Sequence, residues 1–486
     1  MYFIGIDLGT SAVKLLLMDE NGSIKKIVSK EYPIYYPKSG WCEQNPEDWY
    51  LQTKSGLKEL LSGIDKKVIA GLGIGGQMHG LVVLDKDDKV IRPAILWNDG
   101  RTAKETEYLN DIVGKDKLSD YTGNIAFAGF TAPKILWMKK HEPENFNLIS
   151  KIMLPKDYIA YMLTGMHCTD PSDASGTLFF DVKNKCWSKE MMDICGITEE
   201  QLPHIYESYE VVGTLKEELS REFGLSKNVK VAAGAGDNAA AAVGTGTVGE
   251  GECNVSLGTS GTIFIPSKEY KVDQNNALHS FAHADGNYHL MGVILSAASC
   301  NKWWMEDILK TNDFAGEQKN IKSLGDNQVY FLPYLMGERS PHNDSNARVA
   351  FIGMNMETSR EDMTLAMMEG VAFALRDSYE IAKSLGITID RTKMCGGGAK
   401  SPLWRKIMAN ILNLKVDILE VEEGPALGGA ILAAVGCGVF DSVEEAAENI
   451  IKVKETVEPD REIVSLYEER YHVYTKIYPS VKDLFL

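Results

Sequence analysis

The sequence contains no Cys-x-x-Cys pair, and its eight cysteines, Cys42, Cys168, Cys253 and Cys395 among them, lie scattered along 486 residues. That spacing argues against a zinc ribbon or a disulfide framework and fits reduced thiols in a cytoplasmic protein. No apolar run approaches the roughly 18 residues that a membrane-spanning helix needs. The opening "MYFIGIDLG" carries no basic segment, so no secretory leader is expected. Positive charge is in deficit: 51 Lys and Arg stand against 68 Asp and Glu, a formal net charge of −17. Neutralising a nucleic-acid backbone requires clustered cations, so nucleic acid is not an expected partner. Low-complexity tracts and long Pro/Ser linkers are also missing. The chain is too long for one core, so two large domains are expected, joined by a tight hinge near the glycine-rich residues 244–252.

One tetrapeptide occurs twice. Leu8-Gly9-Thr10-Ser11 returns as Leu257-Gly258-Thr259-Ser260, each copy between two apolar, β-prone runs. The pattern around both copies predicts α/β organisation, with strands at "YFIGIDLG", "AVKLLLMD", "CNVSL" and "GTIFIPS". Asn45-Pro46 reads as the cap and first residue of a helix. Thr358 and Glu361 have capping-box spacing ahead of another, whose residues Met363, Ala366, Met367, Gly370, Val371, Ala374 and Leu375 share one face and read as core. "LHSFAHADGNYHLMGVIL" reads as a β-hairpin, which turns His279, His283 and His289 away from a metal reading.

A turn of Gly, Thr and Ser exposes backbone N–H groups and hydroxyls without bulk, a nest suited to phosphate oxygens. Taken alone, such a turn is equally a good hairpin. Asp7 directly precedes the first copy, where a carboxylate could hold Mg²⁺ through water or simply serve the turn. A further glycine cluster, "MCGGGAKSPLW", would let a flat ligand approach the backbone. The small-residue helix "EGPALGGAILAAVG" can pack closely on "GDNAAAAVGTG". Asp237, in that second segment, is by spacing either a helix N-cap or a general base for a hydroxyl. Lys14 reads as facing nucleotide or solvent.

Two D-x-G-T/G-T hairpins, a triple-glycine loop and two small-residue crossing helices resemble the actin-like ATPase superfamily. Within it, "GFTAPKILWMKKH" (Gly129 to His141) and "FIGMNMETSREDMTLAMMEG" (Phe351 to Gly370) resemble the two signatures of FGGY-type carbohydrate kinases, although Val349 stands where a small residue is usual. The resemblance covers essentially the whole chain. It implies an α/β fold of two ribonuclease H-like domains flanking a central nucleotide and sugar cleft. Residues 1–246 would carry sugar and catalytic base, and residues 247–486 adenosine. "GGQMHGLVVLD", "RPAILWNDGRT", "SDASGTLFFDV" and "YLMGERSPHND" resemble the branch that acts on D-xylulose; glycerol kinases carry an Arg-Glu pair where Met78-His79 stands here.

The resemblance therefore implies ATP-dependent phosphorylation of D-xylulose in xylose catabolism. Another ketose or polyol as acceptor is the first alternative, and a non-catalytic actin-like regulator the second. It implies Asp237 as general base, Asp7 as organiser of Mg-ATP, and Met78 and His79 with Asp237 as the sugar site. Thr10, Thr259, Gly397, Gly398 and Ala399 would bind ATP. Trp97 and Asn98-Asp99 are expected near the sugar without assigned contacts. The expected partners are ketose, ATP and Mg²⁺, with neither nucleic acid nor membrane; the reading admits a homodimer.

Overall fold

The computed structural model describes residues 1–485. The helices that position the site are α1 (Pro46–Leu60), α2 (Thr131–His141), α3 (Pro155–Thr164), α4 (Asp237–Gly244), α5 (Arg360–Ser384), α6 (Pro402–Leu412), α7 (Gly424–Gly436) and α8 (Arg461–Val481). The strands are β1 (Tyr2–Leu8), β2 (Ala12–Asp19), β3 (Ile24–Glu31), β4 (Ile69–Gly76), β5 (Val211–Thr214), β6 (Lys230–Ala232), β7 (Ala235–Gly236), β8 (Asn254–Leu257), β9 (Gly261–Ser267), β10 (Arg391–Cys395), β11 (Lys415–Leu419) and β12 (Val453–Val457). The chain forms two compact units. The first comprises Met1–Val248, Ser280–Tyr288 and Glu423–Ile451; the second takes the remaining described residues. No helix among the described residues is long and apolar enough to cross a membrane.

In the first unit β1 and β2 form a hairpin closed at Leu8 and Val13, and β3 continues it antiparallel. On its other side β1 pairs parallel with β4. β4 then pairs parallel with β6 and β7, and β5 closes the edge antiparallel to β6. β1, β2 and β4 are buried along most of their length, so they read as apolar runs rather than alternating ones. α1 begins as the sequence predicts, with Asn45 Oδ1 accepting the Glu47 N–H at 3.3 Å and Pro46 in the first turn.

α7 lies against this sheet at a distance only glycine permits. A Cβ on Gly5 would sit 1.7 Å from the Ala426 carbonyl oxygen, and one on Gly73 2.0 Å from that of Gly429. α7 also crosses α4, where a Cβ on Gly428 would meet the Ala240 oxygen at 1.8 Å. Both small-residue segments thus do what their composition suggests: they let backbone touch backbone.

The second unit repeats the plan. β8 and β9 form a hairpin, β8 pairs parallel with β10, β10 parallel with β11, and β12 closes antiparallel. α5 carries the methionine stripe into this unit's core, where Ala366, Met367, Val371, Ala374 and Leu375 are buried and Met363 partly so. Its cap is one residue later than the spacing suggests. Ser359 Oγ accepts the Asp362 N–H at 3.1 Å and the Asp362 carboxylate accepts the Ser359 N–H at 2.8 Å. Thr358 instead closes a turn with Asn355. The α5–α8 contact holds a buried ion pair, Glu369 with Arg470 at 2.6 Å, joined by the Tyr467 hydroxyl at 2.8 Å. Strands His279–Ala282 and Tyr288–Ile294 form as expected, and the His289 ring stacks on Phe264 at 3.9 Å.

Candidate active site

Register alone brings the key groups of the first unit to one edge. Asp7 pairs with Gly75, and Gly75 with Ala235; Leu8 pairs with Gly76, and Gly76 with Gly236. The carboxyl ends of three parallel strands therefore finish side by side, the place where open α/β sheets hold ligands. Asp7 lies one residue short of that edge, Asp237 one residue past it, and Met78 and His79 two and three residues past it.

Gly236 occupies the cap position of α4 and Asp237 is the first helical residue, so Asp237 does not take the N-cap place. Its Oδ1 accepts the Asn238 N–H at 2.7 Å and the Asn238 side-chain amide at 3.1 Å. Burial pushes the Asp237 carboxyl up to about 7; the charge of Asp7 adds to the rise and the Asn238 N–H opposes it. Asp7 is pushed up to about 6, again first by burial, with Lys14 opposing and Glu423 adding. Two carboxylates in one desolvated place repel each other's ionisation. Lys14 is partly exposed to solvent, and its Nζ pairs with Glu423 at 3.0 Å.

Asp237 is braced from behind. The Gly236 N–H donates to Ser172 Oγ at 3.1 Å, Ser172 Oγ donates to Asp170 at 2.5 Å, and Lys156 Nζ stands 2.9 Å from Asp170. All three of these supports are buried. Met78 lies over Gly236, where a Cβ would meet its sulfur at 2.9 Å, and the Asn238 amide contacts that sulfur at 3.8 Å.

His79 has φ of +67°, the left-handed region that a residue with a bulky side chain seldom occupies. Its ring stacks on Phe130 with centroids 4.7 Å apart, and its Nδ1 lies 2.7 Å from the Gly176 carbonyl oxygen. Its own carbonyl accepts from Thr131 Oγ1 at 3.1 Å and Lys134 Nζ at 2.7 Å.

The first LGTS turn is tied to its surroundings. The Gln44 amide donates to the Thr10 carbonyl at 2.7 Å, the Tyr32 hydroxyl donates to the Gly9 carbonyl, and the Trp97 indole N–H donates to Thr10 Oγ1 at 3.0 Å. Asp99 turns inward, binding the Arg101 guanidinium at 2.7 Å and the Cys42 N–H at 2.6 Å. It fixes the loop that presents Trp97.

In the second unit Thr259, Gly397 and Gly398 line a cavity of about 640 Å³ with Ser299, Gln318 and Trp404. A Cβ on Gly397 would meet nothing within 4 Å, so that backbone faces open space. Gly396 has φ of +85°, and a Cβ there would strike the Leu257 carbonyl at 2.7 Å. Ala399 is buried behind the wall. The Thr259 carbonyl is held by the Ala297 N–H at 2.9 Å and Ser299 Oγ at 2.7 Å.

Asp7, Thr10, Met78, His79 and Asp237 thus fall in one unit, and Thr259, Gly397, Gly398 and Ala399 in the other. Sequence reasoning missed Asn238, Phe130 and Lys134. Asn238 had a signal, since it follows Asp237. Phe130 and Lys134 lie in "GFTAPKILWMKKH", but nothing in that string says which backbone they hold.

Known proteins resemble this chain over its length. Residues 2–244 match the N-terminal domain, and residues 253–437 the C-terminal domain, of the FGGY family of carbohydrate kinases. The xylulose kinase of Bacillus subtilis is 40% identical, covering 99% of this chain and 98% of its own. A xylulose kinase crystal structure from Brucella ovis is 39% identical with a TM-score of 0.95, covering 100% of both chains. A gluconate kinase structure from Lactobacillus acidophilus is 27% identical with a TM-score of 0.94, covering 100% of this chain and 99% of its own. Matches of this length and identity, on top of the paired hairpins, place the chain in the FGGY family of carbohydrate kinases.

Proposed function

We propose that this carbohydrate kinase uses ATP to phosphorylate D-xylulose, giving D-xylulose 5-phosphate. The observation that carries the reading is Asp237, poised near neutrality beside Met78 and His79 at the ends of three parallel strands. A sugar hydroxyl is a poor nucleophile. A carboxylate titrating near 7 can accept its proton as the bond to phosphorus forms and still exist as the base at working pH. His79, its ring oriented by the contact of Nδ1 with the Gly176 carbonyl, would offer its imidazole to a ketose hydroxyl. Thr10 and the turn N–H groups would bind phosphate oxygens, while Thr259, Gly397 and Gly398 would border adenosine. The high similarity to two xylulose kinases supports D-xylulose over other acceptors.

Mg²⁺ fits the residues present. No cluster of three or more His, Cys, Asp or Glu among the described residues could hold a metal. A divalent ion would therefore rest on Asp7, whose desolvated carboxyl gains from a nearby cation, and on the nucleotide's own oxygens, as Mg²⁺ commonly does. When bound it supplies charge neutralisation across the β- and γ-phosphates. A cytoplasmic setting accords with the unpaired cysteines.

The test is sugar-dependent ADP release from purified protein, across D-xylulose, D-ribulose, L-ribulose, gluconate and glycerol. The expected result is the highest kcat/KM on D-xylulose. Gluconate belongs in the panel because a protein of that activity shares the fold closely. A preference for it, or no sugar-dependent release at all, would overturn the assignment.

A further inference from the structure

We infer that Lys134 is a positioning residue for the sugar: its buried amine clamps the backbone of His79 in the left-handed conformation that aims the imidazole. The inference rests on the sugar-kinase reading and deepens it. Lys134 lies on the first turn of α2 and is entirely buried. Its Nζ donates to the carbonyl oxygens of His79 at 2.7 Å and Gly129 at 2.8 Å. No carboxylate is ion-paired with it among the described residues, although buried lysines normally have such a partner. An amine placed where its charge is costly needs a compensating use. Burial holds the Lys134 ammonium down to about 7, so the fold spends stability on keeping it.

What the amine holds is unusual. A histidine at φ +67° is held in a strained backbone conformation that persists only when its surroundings over-determine it. Here they do so from the start of α2 and the residue that caps it. Phe130 stacks on the ring, Thr131 Oγ1 binds the carbonyl, and Lys134 Nζ binds it again from one turn further on. The second carbonyl under Lys134 belongs to Gly129, where a Cβ would meet the Trp97 carbonyl oxygen at 2.5 Å. One side chain therefore ties together the His79 loop and the segment packed against Trp97.

Lys134→Met tests this, because methionine fills the same apolar channel and cannot donate. Thr131→Val removes the other donor to His79 at constant volume. For wild type, sugar-dependent turnover establishes the parent reading independently. For Lys134→Met, the expected result is a sugar KM at least tenfold higher, an unchanged ATP KM, and a melting temperature at pH 7 equal to or above wild type. Thr131→Val should raise the sugar KM about threefold in the same selective way, and it serves if Lys134→Met does not fold. In a His79→Ala background neither substitution should raise the sugar KM further, since the group they position is gone. A folded Lys134→Met protein with wild-type sugar KM, or losses in sugar and ATP KM together with a lower melting temperature, would overturn the inference. Effects that simply add to that of His79→Ala would do the same.

Discussion

The two LGTS turns share a sequence and a strand plan but not a chemical environment. The first is preceded by Asp7 and the second, at the matching place, by Ser256. Around the first, side chains reach in: Gln44, Tyr32 and Trp97 bind its carbonyls and hydroxyl. Around the second, backbone and one serine do the holding, through Ala297, Ala298 and Ser299. The first unit gathers desolvated carboxyls titrating near 6 and 7; the second offers a roomy cavity with bare glycine backbone on its wall. Under the proposed function, a repeated scaffold is divided between reaction chemistry and nucleotide accommodation, and the neighbours of the turn rather than the turn itself would carry the division.

The sharpest test of that division is Asp237→Asn. Phosphate transfer in a single turnover should fall by about 10²–10⁴-fold, while ATP affinity, measured by equilibrium binding, stays within a factor of two or so. Near-normal transfer would mean that the first unit's carboxyl is not the base. Next comes the matched pair Asp7→Asn and Ser256→Ala. The first should lower kcat/KM for Mg-ATP by roughly 10–100-fold and steepen the Mg²⁺ dependence, whereas the second changes either by less than about threefold. Equal effects would erase the asymmetry between the turns.

A substitution in the second unit should do the opposite of those in the first. Gly397→Leu fills space that is open in the cavity, so the ATP KM should rise about tenfold with little change in the sugar KM. A selective effect on sugar would reverse the assignment. The smallest expected effect is on stability. The Asp237 carboxyl is raised from 3.8 to about 7 in the folded state, so the fold binds this proton more tightly than the unfolded chain does. Ionising it costs stability that is absent below about 4 and fully felt above about 7. Asp237→Asn should therefore melt higher than wild type at pH 8 by a few degrees and converge with it near pH 4. Parallel melting curves at both pH values would remove the burial argument.

The strand plan was legible because both hairpins sit in apolar runs bounded by Gly-Thr-Ser, and strands buried on both faces of a sheet leave such runs in the sequence. The crossing of α4 and α7 was legible because Gly428 and Ala240 have no side-chain bulk to keep the backbones apart. The start of α5 was misplaced by one residue because Thr358 and Ser359 are both acceptable caps and Glu361 and Asp362 both acceptable partners; only the turn made by Asn355 decides. Asp237 was found as a carboxyl after glycines, but its place in the first helical turn, rather than at the cap, depends on Ser172 holding the Gly236 N–H. The Lys134–His79 contact was not legible at all. The partners are 55 positions apart, and the group that matters on His79 is its carbonyl, which every residue has.

The close seat of α7 on β1 and β4 has a consequence for synthesis. A ribosome delivers Gly5 and Gly73 early, and the helix that covers them only after residue 436 has been made. Until then the growing chain carries a sheet face of glycine grooves with nothing laid in them, and the apolar residues Phe3, Leu16 and Met18 beside them lack their cover. The first unit to emerge is thus the last to be sealed, and a nascent chain stopped after residue 248 is expected to recruit a holding chaperone where one released at full length does not.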